Sequence, residues 1–153
     1  MNHSRICFDS SIIIKAMINE EYSEQASFLL KNAVCKGEEI VMPAFAWAEI
    51  GTVLREKVRL KELDEKDADL LWNAFNELSI IRFEDSIRIR NRAWELAKDE
   101  ALPTIYDAAF LAVALEHNNE NEKCCFWTAD EKLYNSINKP VYKKIIKLLS
   151  KGE

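Results

Sequence analysis

Four of the chain's 26 acidic residues stand where a carboxylate is costly. Asp107 lies inside Ile105–Tyr106–Asp107–Ala108–Ala109–Phe110–Leu111–Ala112–Val113–Ala114–Leu115, a helical stretch apolar almost all the way round and hence destined for burial. Glu49 lies in a second apolar helix start, Pro43–Ala44–Phe45–Ala46–Trp47–Ala48–Glu49–Ile50. Asp9 closes the apolar run Arg5–Phe8, and Asp130 follows Phe126–Trp127–Thr128–Ala129. Glu38, Glu39, Glu62, Glu65, Glu120 and Glu122 have polar neighbours and read as solvated surface. Each of the four has an ordinary structural use: a helix N-cap for Asp9 and Asp130, a buried ion pair with Arg or Lys for Glu49 and Asp107. Together they permit more. Carboxylates meeting at one rim repel and raise each other's pKa. A hard divalent cation such as Mg²⁺ or Mn²⁺ removes that conflict, takes oxygen ligands and engages phosphates. The chemistry suited to such a centre is phosphodiester hydrolysis.

The elements that must bring them together alternate. Arg5–Phe8 reads as a buried strand, followed by a helix over Ser10–Ile18 and another over Tyr22–Cys35 that stops at Gly37. Glu39–Met42 is a second strand, and Pro43 is expected to start a helix running from Ala44 to about Val58. Asp64 caps the next helix, whose Ala68, Leu71, Trp72, Phe75 and Leu78 recur at helical spacing. A third strand spans Ile80–Phe83 and a helix runs from Asp85 to about Lys98. After Pro103 a helix runs from Thr104 to about Glu116; a polar loop, His117–Lys123, leads to a strand over Cys124–Thr128. Asp130–Ile137 is a short helix and Asn138–Pro140 a turn, while the pattern of Val141–Leu149 fits a strand or a helix. Strands alternating with helices specify an α/β domain with a mainly parallel sheet, in which function gathers at the strands' carboxyl ends. Asp9 and Asp130 fall there.

Composition narrows the choice. The 153 residues suit one domain, with no linker, repeat or low-complexity segment. Three scattered glycines, Gly37, Gly51 and Gly152, exclude the clustered-glycine motifs of phosphate loops, dinucleotide turns and nucleophile elbows. Cys7, Cys35, Cys124 and Cys125 contain no CxxC, and His3 and His117 lie far apart, which argues against a Cys/His zinc site. The cysteines' apolar neighbours suit buried free thiols in a reducing cytoplasm, and no secretory signal or membrane span is expected. A net charge of −5 requires any nucleic-acid contact to rest on a local basic patch. Arg55, Lys57 and Arg59, with Lys61 beyond, extend the helix that bears Glu49; Arg88, Arg90 and Arg92 form a second cluster. Trp47 and Tyr106, beside two of the carboxylates, read as core residues, although Tyr106 has the right chemistry to stack on a base.

Four segments resemble the PIN-domain family of metal-dependent ribonucleases, including VapC-type toxins: Cys7–Phe8–Asp9–Ser10–Ser11, Pro43 through Glu49 to Leu54, Tyr106–Asp107–Ala108–Ala109–Phe110–Leu111–Ala112, and Thr128–Ala129–Asp130. Their order and the α/β frame between them extend the resemblance over essentially the whole of residues 1–153. It implies a three-layer domain with about five mainly parallel strands flanked by helices, and an acidic pocket for one or two Mg²⁺ or Mn²⁺ ions. Asp9, Glu49, Asp107 and Asp130 would be both the catalytic and the metal-binding carboxylates, with Ser10 and Thr128 orienting them from behind. Arg55, Lys57 and Arg59 are the candidates for gripping RNA, single-stranded or structured. The resemblance also implies a small antitoxin protein and a homodimer or larger assembly, with Ile13, Met17 and Tyr22 as apolar contacts if exposed. Three other readings compete: an RNA-processing nuclease without an antitoxin, a catalytically silent binding module, and, less well, a phosphatase or receiver domain, which would place an acidic pair where Ser10 and Ser11 stand.

Overall fold

The computed structural model describes residues 4–150. Five parallel strands form one sheet in the order β3-β2-β1-β4-β5: β1 (Arg5–Phe8), β2 (Glu39–Pro43), β3 (Ile81–Glu84), β4 (Phe126–Thr128) and β5 (Ile146–Leu148). Eight helices accompany them among the described residues: α1 (Ser10–Met17), α2 (Ser23–Lys36), α3 (Ala46–Arg59), α4 (Glu65–Asn76), α5 (Ile87–Asp99), α6 (Ile105–Glu116), α7 (Glu131–Ser136) and α8 (Pro140–Lys143). The α/β class with a parallel sheet and flanking helices is thus as expected. From β1 the chain steps outward through β2 to β3, then returns across β1 to β4 and β5. Right-handed crossovers therefore put α1–α4 and α5–α6 on opposite faces. The order reverses between β1 and β4, and their carboxyl ends open a crevice at this switch point.

The core is continuous on both faces. Phe8, Ile12, Ile13, Ile40, Met42, Phe110 and Phe126 are fully buried, and the Phe110 and Phe126 rings stack across α6 and β4 at 6.0 Å. Six residues of α6, Ala108 and Phe110–Ala114, are buried, which accounts for its apolar circumference. Ile13 lies in this core, with Met17 and Tyr22 packed at its margin, so the three do not form an open contact surface.

Several local expectations change. Pro43 ends β2 rather than starting α3. Ile40 donates its backbone N–H to Ile80, just before β3, and Ala44 donates to Glu84 at its end, so strand alternation turns the nitrogen of Pro43 away from that ladder and its missing donor costs nothing there. Trp47 is not core: Ala46, Ile50 and Leu54 form the buried stripe of α3, leaving Trp47 off that stripe and 51% exposed. Tyr106 is 56% exposed. Cys124 and Cys125 precede β4 instead of lying in it, and the Asn118 side-chain amide bonds both N–H and C=O of Cys124, taking the place of a neighbouring strand. Cys7 and Cys124 are buried thiols, whereas Cys35 is exposed on α2. The ambiguous Val141–Leu149 segment resolves into the end of α8 and then β5. His3 and Gly152 lie outside the described residues.

Candidate active site

Two strand ends and two helix starts deliver the four carboxylates to the crevice. Asp9 is anchored first: its N–H donates to the Trp127 carbonyl at 2.9 Å, tying the end of β1 to β4. One carboxylate oxygen, Oδ2, then accepts from Thr128 Oγ1 at 2.7 Å and Ser11 Oγ at 3.1 Å. Asp9 makes no capping hydrogen bond to α1, so its side chain is spent on the crevice and not on the helix. The two hydroxyls reach further. Thr128 Oγ1 accepts from the Asp130 N–H at 3.0 Å, and Ser11 Oγ accepts from the Ala129 N–H at 3.2 Å. Thr128 is wholly buried, so this lattice fixes the turn that presents Asp130.

Asp130 does cap its helix: Oδ1 accepts from the Leu133 N–H at 3.2 Å. Its other oxygen makes no protein hydrogen bond among the described residues. Glu49, in the first turn of α3, receives the Ser10 hydroxyl on Oε1 at 2.9 Å. Asp107 lies in the first turn of α6, and among the described residues no side chain donates a hydrogen bond to it. Among the described residues no Lys, Arg or His forms an ion pair with any of the four, which removes the buried-ion-pair reading of Glu49 and Asp107.

Asp9 lies within electrostatic reach of each of the other three carboxylates, and Asp107 within reach of Glu49 and Asp130. Burial pushes the Asp9 carboxyl above its ordinary range, the hydroxyls of Thr128 and Ser11 oppose that, and Asp130 adds to it. Burial raises Glu49, countered by the Ser10 hydrogen bond and reinforced by Asp9 and Asp107. Burial raises Asp107, with Asp9 and Asp130 adding to it. Four carboxylates offer hard oxygen donors and, among the described residues, no ion-pair partner, a donor chemistry that fits a divalent ion. Among the described residues no three acidic, His or Cys side chains are already gathered as a cage. An ion such as Mg²⁺, which keeps several of its waters, does not require one.

Sequence reasoning found Ser10 and Thr128 but passed over Ser11, which holds the same Asp9 oxygen as Thr128. Its signal was the Asp-Ser-Ser run itself: a hydroxyl two residues beyond an Asp at a helix start can turn back onto it. The basic cluster is placed differently. Arg55 Nη1 donates to both Glu65 oxygens at 2.8 and 2.9 Å, Arg59 pairs with Glu56 at 2.8 Å, and Lys57 sits between Glu62 at 3.5 Å and Glu20 at 3.6 Å.

The PIN domain family model matches residues 6–136, so the chain belongs to the PIN-domain family. PIN domains are generally nucleases, and membership carries nucleic-acid binding and hydrolysis at that coarse level. No curated protein matches the sequence. No helix among the described residues is long and apolar enough to cross a membrane.

Proposed function

We propose that the chain is a metal-dependent endoribonuclease, hydrolysing RNA phosphodiester bonds at the crevice between β1 and β4. One observation supports this reading: in a PIN domain, Asp9, Glu49, Asp107 and Asp130 act electrostatically on one another, and among the described residues none has an ion-pair partner. Asp9, Glu49, Asp107 and Asp130 would hold Mg²⁺ or Mn²⁺, which when bound activates water and offsets charge on the phosphate. The chain's own hydroxyls orient the ligands. Ser10 fixes Glu49 through one oxygen, and Thr128 and Ser11 fix Asp9 through one oxygen, leaving the other of each pair free. The raised proton affinity of Asp9, Glu49 and Asp107 means that a cation and protons compete for the same oxygens, so activity rises with pH through that range.

Arg55 and Arg59, exposed beyond Glu49 on α3, would meet the RNA backbone by exchanging Glu65 and Glu56 for phosphates. Lys57, held between two acids at 20% exposure, serves the joint of α3 with its neighbours. The four motif segments further support a VapC-type toxin, acting in the cytoplasm, opposed by a small antitoxin and working as a homodimer or larger assembly.

The test is expression of the chain alone beside Asp107→Asn. The reading expects growth arrest and RNA breakage from the wild type and neither from the variant. Arrest by both proteins equally would refute cleavage as its cause.

A further inference from the structure

The carboxylate crevice has a cleft of about 370 Å³ beside it, which none of the chemistry above uses. It lies among the end of β2, α5 and the start of α6, within the roughly 300–1,000 Å³ span of small-ligand sites. Phe45, Tyr106, Ile105, Ala93, Arg90 and Asp85 line it. Its place is set by the candidate site: Tyr106 precedes Asp107, and Phe45 is the N-cap of the helix that carries Glu49.

We propose that this cleft receives one unpaired base of the nucleic acid next to the bond to be cut, stacked on Tyr106 and met at its edge by the Arg90–Asp85 pair. The proposal rests on the nuclease reading and deepens it. An aromatic platform forms one wall of the cleft. The Tyr106 ring meets Phe45 edge-on at 5.1 Å and 82°, and Phe45 in turn meets the buried Phe110 at 5.7 Å and 90°. Tyr106 is therefore braced from the core while more than half of it stays open to solvent. A braced ring with a free face stacks on a base at little entropic cost.

A polar pair, Arg90 and Asp85, faces the same cleft. Arg90 Nε and Nη2 bond the two Asp85 oxygens at 2.9 and 2.6 Å, a fork that holds the guanidinium plane in place. The pair offers donors and an acceptor together, the complement of a base edge that carries both a carbonyl or ring nitrogen and an amine. An apolar side chain from a partner protein would leave the Arg90–Asp85 pair unused. Duplex bases are excluded because their faces are stacked and their pairing edges occupied.

The test uses short oligoribonucleotides carrying 2-aminopurine at successive positions, bound to the Asp107→Asn protein in Mn²⁺. One position should change fluorescence on binding. Adding Tyr106→Ala should abolish that change and weaken binding roughly 5- to 150-fold, the range of one base stack. Tyr106→Phe, which keeps the ring, should behave as Tyr106. On the active protein Tyr106→Ala should raise KM by a similar factor, and a duplex of the same sequence should resist cutting. An unchanged KM for Tyr106→Ala, or a duplex cut as fast as the single strand, overturns the base site and leaves the nuclease reading standing. Loss of a dimer on sizing, with RNA binding unaltered, overturns it in favour of a second copy. No cutting by wild type, with a Tyr106-dependent 2-aminopurine signal intact, refutes the nuclease and keeps the base site; with neither, both fall.

Discussion

The Thr128 hydroxyl has two obligations, donating to Asp9 and accepting from the Asp130 N–H, and both fall inside the fold. Thr128→Val keeps the shape but orphans the Asp130 N–H and leaves the Asp9 oxygen with Ser11 alone. It should cost about 1–3 kcal/mol in denaturant unfolding, the penalty for unsatisfied buried polar groups, while Thr128→Ser should cost much less. Equal stability of the Val and Ser variants would contradict the hydrogen-bond account. The raised carboxylates make a second prediction. Burial, then neighbouring charge, lets the folded protein keep protons on Asp9, Glu49 and Asp107 that the unfolded chain has already lost. Stability therefore declines as pH climbs from about 4, the unfolded carboxylate value, through the raised folded range. Asp107→Asn removes one of these charges. In chelator, its melting temperature relative to wild type should be higher at pH 7 than at pH 4; an advantage independent of pH would contradict the account. At this scale the sequence was most legible where a residue clashed with its surroundings. A carboxylate in an apolar helix announces itself, whereas Ser11 is an ordinary serine until the chain folds it back onto Asp9.

Element boundaries came from capping and periodicity, and these are tested directly at α4. The Asp64 carboxylate accepts from the N–H groups of Lys66 and Asp67. Asp64→Ala should cost about 1 kcal/mol, about 2–4 °C in melting temperature, with no effect on the crevice. A loss of metal response in that variant would show that α4 is coupled to the site. The strands and long helices were readable because burial imposes their periods. Pro43 misled because two uses of proline, the helix start and the strand end free of a ladder partner, look alike locally. Trp47 and Tyr106 misled because large aromatics are usually buried; which of them faces outward depends on how α3 and α6 are rotated over the sheet, a tertiary fact.

Over the whole molecule, the reversal of strand order between β1 and β4 turns residues 119 positions apart into neighbours, as the Asp9–Thr128 bond shows. The alternation of elements announced a parallel sheet, but its strand order depends on crossovers that no local pattern encodes. The same packing sorts the thiols. Cys35 is exposed, Cys7 is buried with its pKa raised by that burial, and burial pushes Cys124 up to about 12. A disulfide reagent at pH 8 should modify Cys35 rapidly and reach Cys7 and Cys124 only on unfolding, as peptide mapping would show. Rapid labelling of Cys124 in the folded protein would contradict the sheet's packing.

The central claim is that the crevice carboxylates gather a divalent ion to cut RNA. It is tested most directly by incubating the purified protein with mixed single-stranded RNA in Mn²⁺, in Mg²⁺ and in EDTA, beside Asp107→Asn. The account predicts cutting with metal, none in EDTA and none by the variant. Cutting that persists in EDTA, or that Asp107→Asn performs as well as the wild type, would contradict it.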